Sequence, residues 1–307
     1  MEILHALYRN VRTIAMPSGM VIGALLCRPI AALDAWSYHT ITPALIFMML
    51  FITFCRVEPR RMHLEPLHGW LLLFQVVVSL GVYFLLEPLN VILAQGAMIC
   101  VLAPIAMAAV VIGGMLGGSI TTMATYSLLC NMAIAVIAPA VLSVVGNGEC
   151  SFFEIFRRIV PLLVGPFLAA QLLRAVLPKI AEWIGAHGQI SFYMWLASLT
   201  IIIGRTMVFI MEYPDTDIYV EAAMAAVAGA ICLLQFIVGR RLGRRYGDAV
   251  AGGQSLGQKN TVLAIWMAQS FMNPLSSIAP TAYIIWQNFV NSYQIYKKDR
   301  ETMKNQI

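Results

Sequence analysis

Apolar residues run through this chain in blocks of roughly twenty, each long enough to cross a bilayer as a helix. Short polar links separate ten such blocks, at about 13–33, 41–56, 68–87, 92–116 continuing after a break to 129, and 131–147, then 159–178, 190–212, 217–239, 249–257 resuming at 261–273, and 277–296. The runs are continuous rather than alternating, which excludes an outer-membrane barrel and predicts an all-α polytopic membrane protein. Two blocks are interrupted. Gly252 to Thr261 reads Gly-Gly-Gln-Ser-Leu-Gly-Gln-Lys-Asn-Thr, and Gly113 to Thr122, 139 residues earlier, reads Gly-Gly-Met-Leu-Gly-Gly-Ser-Ile-Thr-Thr. Gly113/Gly252, Gly114/Gly253, Gly118/Gly257 and Thr122/Thr261 coincide without a gap. Interrupted segments at matching places in two halves are the mark of a secondary transporter. The expectation is therefore ten transmembrane helices as two inverted five-helix repeats, with two broken crossing helices at these stretches.

Composition agrees with a membrane protein. The 307 residues are 60% hydrophobic and 11% charged, with a mean hydropathy of +0.79. The net charge of +5 does not point to nucleic acid, because the basic residues sit in short links between blocks. Those links carry Arg9 and Arg12, Arg56, Arg60 and Arg61, Arg174 and Lys179, Arg240, Arg241, Arg244 and Arg245, and the tail Lys297, Lys298, Arg300 and Lys304. Acidic Asp34, Glu87, Glu149, Glu212, Asp215 and Asp217 fall in the alternate links. The basic set marks the cytoplasmic side, with both termini inside. Arg157 and Arg158 break the rule and are read as part of an interfacial lead-in, Phe152 to Arg158. A bacterial inner membrane suits this composition, as does an organelle membrane. The first block has no cleavable-signal pattern and is expected to remain as a helix. The six cysteines are scattered without paired metal spacing. No serine nucleophile, metal cluster or phosphate loop supports enzyme chemistry.

The motifs also carry a resemblance. Gly257-x-x-Asn260-Thr261-x-Leu263-Ala264, then Pro274, Pro280 and Trp286-Gln287-Asn288, together with Gly117-Gly118-Ser119-Ile120-Thr121-Thr122, Thr125-Tyr126 and Phe74-Gln75, resemble the bile acid:sodium symporter family over nearly the whole chain. The resemblance implies one transporter domain over 1–307. A core of spans at about 68–147 and 217–296 lies beside a panel of spans at about 13–56 and 159–212. It also implies a small organic anion, such as a bile acid or a carboxylate, as substrate. Family members hold two sodium ions behind the crossover. At the positions of their ligands this chain has Thr121 and Thr122 for a Ser-Asn pair, Ala135 and Pro139 for two hydroxyls, Ser255 for a Glu and Lys259 for a Gln, with Gln75 unchanged. Sodium needs several oxygen ligands, by the logic of other hard cations, so both sites look degraded and no cofactor is expected.

Lys259 is the residue singled out by this departure. An ammonium near the bilayer midplane costs at least about 2.5–3.5 kcal/mol, and the carbonyl ends of broken helices are where a cation is favoured. Lys259 is expected to sit where sodium sits in the relatives, with Gln75, Ser255 and Gln258 around it, as a fixed or titratable cation. Proton-linked, uncoupled or exchange transport would follow. Ser119, Thr121, Thr122, Asn260, Thr261 and Asn288 are candidate substrate contacts, the first five because half-helices starting there present free amides to an anion. The alternative for each is capping or helix–helix hydrogen bonding. Arg205, mid-span, is a further candidate for the substrate anion, or a partner of Glu221, or a structural residue. Two other functions stay open: a sodium-coupled symporter with one retained site, and a membrane sensor that binds without transporting. An exporter of metalloid oxyanions is less favoured because no cysteine adjoins either glycine-rich stretch. Oligomeric state is not legible.

Overall fold

The computed structural model describes residues 18–59, 62–106, 108–146, 151–187, 189–212 and 218–304. Arg9, Arg12, Arg60, Arg61, Glu149, Asp215 and Asp217, assigned above to links, lie outside them. All regular structure among the described residues is helical. The helices are α1 (Ser18–Leu25), α2 (Cys27–Trp36), α3 (Ile41–Phe54), α4 (Pro66–Leu86), α5 (Val91–Leu102), α6 (Ala108–Met115), α7 (Ile120–Val145), α8 (Phe152–Leu163), α9 (Gly165–Val176), α10 (Pro178–Ala186), α11 (Gln189–Glu212), α12 (Ile218–Arg245), α13 (Ala249–Gly257), α14 (Thr261–Phe271) and α15 (Ile278–Lys304). Among the described residues, five segments are long and apolar enough to span a membrane, and a sixth if α1 and α2, bent by 80°, form one span. The chain is a polytopic integral membrane protein.

Contacts divide the chain into two units, residues 1–56 with 165–216, and residues 57–164 with 217–307. In the first unit, glycines let helices approach closely. A side chain at Gly19 or Gly23 would strike Leu196, Thr200 or Ile203 of α11, and one at Gly204 would strike Ile30 of α2. Phe54 of α3 meets Phe167 of α9 edge to face. Asp34, expected in a link, is instead in α2 and buried. The helix runs past the expected end of its block, because Ala31-Ala32-Leu33 continue the apolar pattern and Asp34 finds a cationic partner inside the unit.

The second unit is built around α5, which is buried on every side from Leu93 to Leu102, as a helix apolar all round must be. Its neighbours in the core are Met224, Ala228, Ile231, Cys232 and Phe236 of α12 and Ala279 and Tyr283 of α15. Asn90 starts α5 by accepting the Leu93 amide. Pro104 stops it: the residue before a proline is pushed out of the α region, and Ala103 has ψ 138. Residues 103–106 are therefore extended, and α6 starts afresh beyond them. The interruption expected just after 116 is present, between Met115 and Ile120; the boundary expected at 129–131 is not, and residues 120–145 form one continuous helix with Pro139 inside it.

The interruption expected between 257 and 261 is seen at residues 258–260, and the stretch Gly252–Gly257 before it is helical. Its glycines serve close packing rather than unwinding. A side chain at Gly252 would collide with Gly239 and Gly243 of α12, one at Gly253 with Arg240, and one at Gly257 with the ring of Phe236. Gly239-x-x-x-Gly243 against Gly252 is a small-residue contact of the kind that lets two membrane helices touch backbone to backbone. Gly113 and Gly118 pack similarly, against Met123 and against Val250 and Ala251. Gly117, with φ of 88°, makes the tight turn between α6 and α7 that a side chain would strain.

Candidate functional site

The two interruptions that meet are 103–106 and 258–260. Ile105 and Lys259 form an antiparallel bridge, the Ala106 amide donates to the Gln258 carbonyl at 3.0 Å, and the Asn260 amide donates to the Pro104 carbonyl at 2.8 Å. The partner of the Lys259 break is thus not Gly113–Thr122, as glycine content predicts, but the proline-marked stretch before it. A short two-chain pairing here satisfies backbone groups that lipid could not.

The last four carbonyls of a helix lack intrahelical donors, and α5 ends inside the core. Each of its four has a partner. The Ile99 carbonyl accepts from the Ala103 amide at 3.0 Å, and the Cys100 carbonyl from Gln235 Nε2 at 3.3 Å. The Val101 carbonyl accepts from Lys259 Nζ at 2.9 Å, and the Leu102 carbonyl from Gln75 Nε2 at 2.7 Å. Gln75 Nε2 also donates to the Ala103 carbonyl at 2.9 Å, while its Oε1 accepts from Tyr126 Oη at 2.9 Å. Lys259 is 1% exposed and lies at the negative end of the α5 dipole, where a cation is favoured. Its own amide donates to Gln287 Oε1 at 3.1 Å. Gln258 Oε1 accepts from Asn291 Nδ2 at 2.7 Å, and Asn291 Oδ1 accepts from Gln254 Nε2 at 3.1 Å. Tyr283 Oη donates to the Gly257 carbonyl at 2.8 Å, closing the end of α13. Ser255 Oγ and Gln254 Oε1 are buried with no partner among the described residues.

Among the candidate contacts, Asn260 caps α14 by accepting the Leu263 amide at 3.2 Å, and Thr261 is buried beside it, its amide donating to the Lys259 carbonyl. Asn288, one face round from Gln287, donates to the Ile284 carbonyl of its own helix at 2.7 Å. Ser119 does cap α7, accepting the Thr122 amide, but it is not at the crossover. It belongs to a second cluster at the far end of α13. The Ser119 amide donates to Asp248 Oδ2 at 2.6 Å, and the Ala251 amide to Asp248 Oδ1 at 2.7 Å. Thr122 Oγ1 donates to Ser119 Oγ at 2.9 Å, and His68 Nε2 lies 3.1 Å from the Thr122 carbonyl. Nine residues of α13, at about 1.5 Å each, put about 14 Å between this cluster and Lys259. Thr121 is exposed. Ser119, Thr121 and Thr122 are therefore not brought together with Lys259, Asn260 and Thr261.

Arg205 lies in α11 and its guanidinium pairs with Asp34 at 3.2 Å rather than with Glu221. Cysteines do lie near the crossover: Cys100 is in the last turn of α5, just before the proline-marked break, and Cys130 Sγ lies 3.5 Å from Gln75 Oε1. Gln235, Tyr283 and Asn291 are polar residues of this network that the sequence motifs do not include. Their signal was available: each is an amide or phenol inside an apolar block, where burial demands a partner. Comparison with protein-family models and with curated proteins gave no match.

Proposed function

We propose that the chain is a secondary transporter of a small organic anion, a divergent member of the bile acid:sodium symporter family. It works by alternating access about the crossing of 103–106 and 258–260. The observation that carries this reading is Lys259 Nζ on the Val101 carbonyl: a fixed ammonium stands at the helix end where a transporter of this plan would hold a metal cation. Coupling to sodium is then unnecessary. The element order supports an inverted repeat, since α4 to α7 and α12 to α15 both run long, short, short, long, with an extended break inside each short pair. Ten spans and a panel–core division follow from that plan, and the two contact units are of the composition it requires. The N-terminus of α14, the positive end of its dipole, would face the anion. A bacterial inner membrane with both termini cytoplasmic is the setting this plan implies, and the substrate and the lipid bilayer are the partners it implies.

A second reading, sodium coupling at a residual site, is favoured by one observation: Ser255 Oγ and Gln254 Oε1 are buried oxygens with no partner among the described residues. Proteoliposomes separate the two. Counterflow of labelled taurocholate or benzoate is expected to proceed equally in sodium and potassium, and to fail in Lys259→Ala that still elutes as folded protein. Flux that requires sodium would instead establish the second reading. Binding without flux would make the chain a sensor.

A further inference from the structure

The first unit holds a buried ion pair that the crossover does not use. Asp34 on α2 is 1% exposed and Arg205 on α11 is 11% exposed, with Arg205 Nη1 at 3.2 Å from Asp34 Oδ2. The same carboxylate oxygen lies 2.6 Å from Nδ1 of His39, whose side chain is 58% exposed. Asp34 Oδ1 is buried and has no hydrogen-bond partner among the described residues. His39 is held there by an unusual turn: Tyr38 and His39 have φ of 54° and 58°, two successive left-handed residues that are not glycine. Such conformations persist where the surroundings enforce them and gather at functional sites. Ser37 Oγ and the His39 amide both donate to the Asp34 carbonyl, at 2.7 and 2.9 Å, and fix the turn.

A groove of about 410 Å³ runs along the same two helices, lined by Arg28 and Ala31 of α2 and by Val208, Met211 and Glu212 of α11. Residues three or four apart share a helix face. Arg28, Ala31 and Asp34 are spaced in this way, as are Arg205, Val208 and Glu212, so the groove and the ion pair lie along the same two helix faces. The groove wall is apolar at Ala31, Val208 and Met211, cationic at Arg28 and anionic at Glu212. Helices α1 and α3 contribute no charged residue. Among the described residues, Asp34 meets Arg205 from α11 and His39 from the turn; the other charged groups of α2 and α11 are Arg28 and Glu212.

We propose that Asp34, His39 and Arg205 form a proton-operated site for an amphipathic carboxylate. A proton from solvent is taken by His39. It passes from Nδ1 to Asp34 Oδ2, leaving neutral imidazole and a neutral carboxylic acid. Arg205 then has no counter-charge, and its planar donors, which match a carboxylate in pairs, are satisfied by the ligand anion while the ligand's apolar body lies along Ala31, Val208 and Met211. The site gains one proton and one negative charge together. Without the proton, Asp34 is itself the competing anion. This rests on the reading of the chain as an anion transporter, and it names the proton as the ion that travels with the anion.

The test uses purified protein in nanodiscs and benzoate as the probe. Wild type is expected to bind benzoate more tightly at pH 5.5 than at pH 8, by at least tenfold, and to take up about one proton per benzoate in weak buffer at pH 8, where the proton must come from solvent. Asp34→Asn is expected to bind with no proton uptake and with the pH dependence removed. Arg205→Gln is expected to lose binding. His39→Asn, at an exposed position that tolerates a left-handed backbone, is expected to slow proton uptake without changing its stoichiometry, and it keeps the test decisive if Asp34→Asn does not fold. Absence of benzoate binding by wild type, binding without proton uptake, unchanged binding by Arg205→Gln, or an uptake rate unaltered by His39→Asn would overturn the proposal. Proton-linked, Arg205-dependent binding with no flux in proteoliposomes would leave this site standing and remove the transport reading. Flux indifferent to Arg205 would do the reverse.

Discussion

Four carbonyls end α5 inside the protein, and one of them depends on a lysine. Removing the Lys259 side chain leaves the Val101 carbonyl without its donor, a loss of about 1–3 kcal/mol, and opens a void beside it that adds to the cost. Lys259→Met should behave differently. An apolar chain of similar volume refills the space and removes the cost of burying a charge, so stability is expected to stay within about 1 kcal/mol of wild type, while anion counterflow is lost. Chemical denaturation of both variants, alongside flux, checks this; a methionine variant that transports normally would remove the lysine from the mechanism. Gln75 donates to two carbonyls, so Gln75→Leu should cost about 2–6 kcal/mol, seen as a lower unfolding temperature. The importance of Lys259 was legible in the sequence because a charge inside an apolar block is expensive wherever it goes. The destination of Arg205 was not, since Asp34 lies 171 positions away along the sequence and was read as part of a link.

At the scale of helices, glycine marks the breaks at 116–119 and 258–260 and the places where helices touch, but not the break at 103–106. Gly239, Gly243 and Gly252 bring α12 and α13 together, whereas the break opposite Lys259 is made by Pro104, which no glycine accompanies. Gly252→Ala is expected to destabilise by about 1–3 kcal/mol through overpacking. Gly81→Ala in α4, where a new methyl meets nothing within 4 Å, is expected to be neutral or to stabilise by about 0.5–1 kcal/mol. Equal effects of the two substitutions on thermal unfolding would contradict the packing account. Pro104 could have been weighed from the sequence, because a proline ends the α region one residue early. The gapless match of Gly113–Thr122 to Gly252–Thr261 does mark an interruption in each stretch, but these are not the two interruptions that pair with each other.

Across the whole molecule, hydropathy made the membrane class and most helix positions legible, since long apolar runs have few soluble alternatives. It did not reveal α10, which lies in the link between the blocks at 159–178 and 190–212, or the sharp bend between α1 and α2, which does not change the apolar count of its block. The proposed orientation places Glu87, just beyond α4, outside the cell and Arg244, in the last turn of α12, inside it. In a background lacking Cys150, cysteine at position 87 should react with an impermeant maleimide in intact cells, and cysteine at 244 only after permeabilisation. The five other cysteines are buried and free, so background labelling should be small. The reverse pattern would invert the topology.

The most direct test of the central claim, that Lys259 stands in for a bound metal cation, is thermal unfolding of the purified protein in sodium and in potassium chloride. A ligand that binds only the folded state must raise its stability. Wild type is predicted to unfold at the same temperature in both salts up to molar concentrations, and Lys259→Ala to unfold lower in both. A rise in the wild-type unfolding temperature with millimolar sodium and not with potassium would show that a sodium site survives beside the lysine, and would contradict the account.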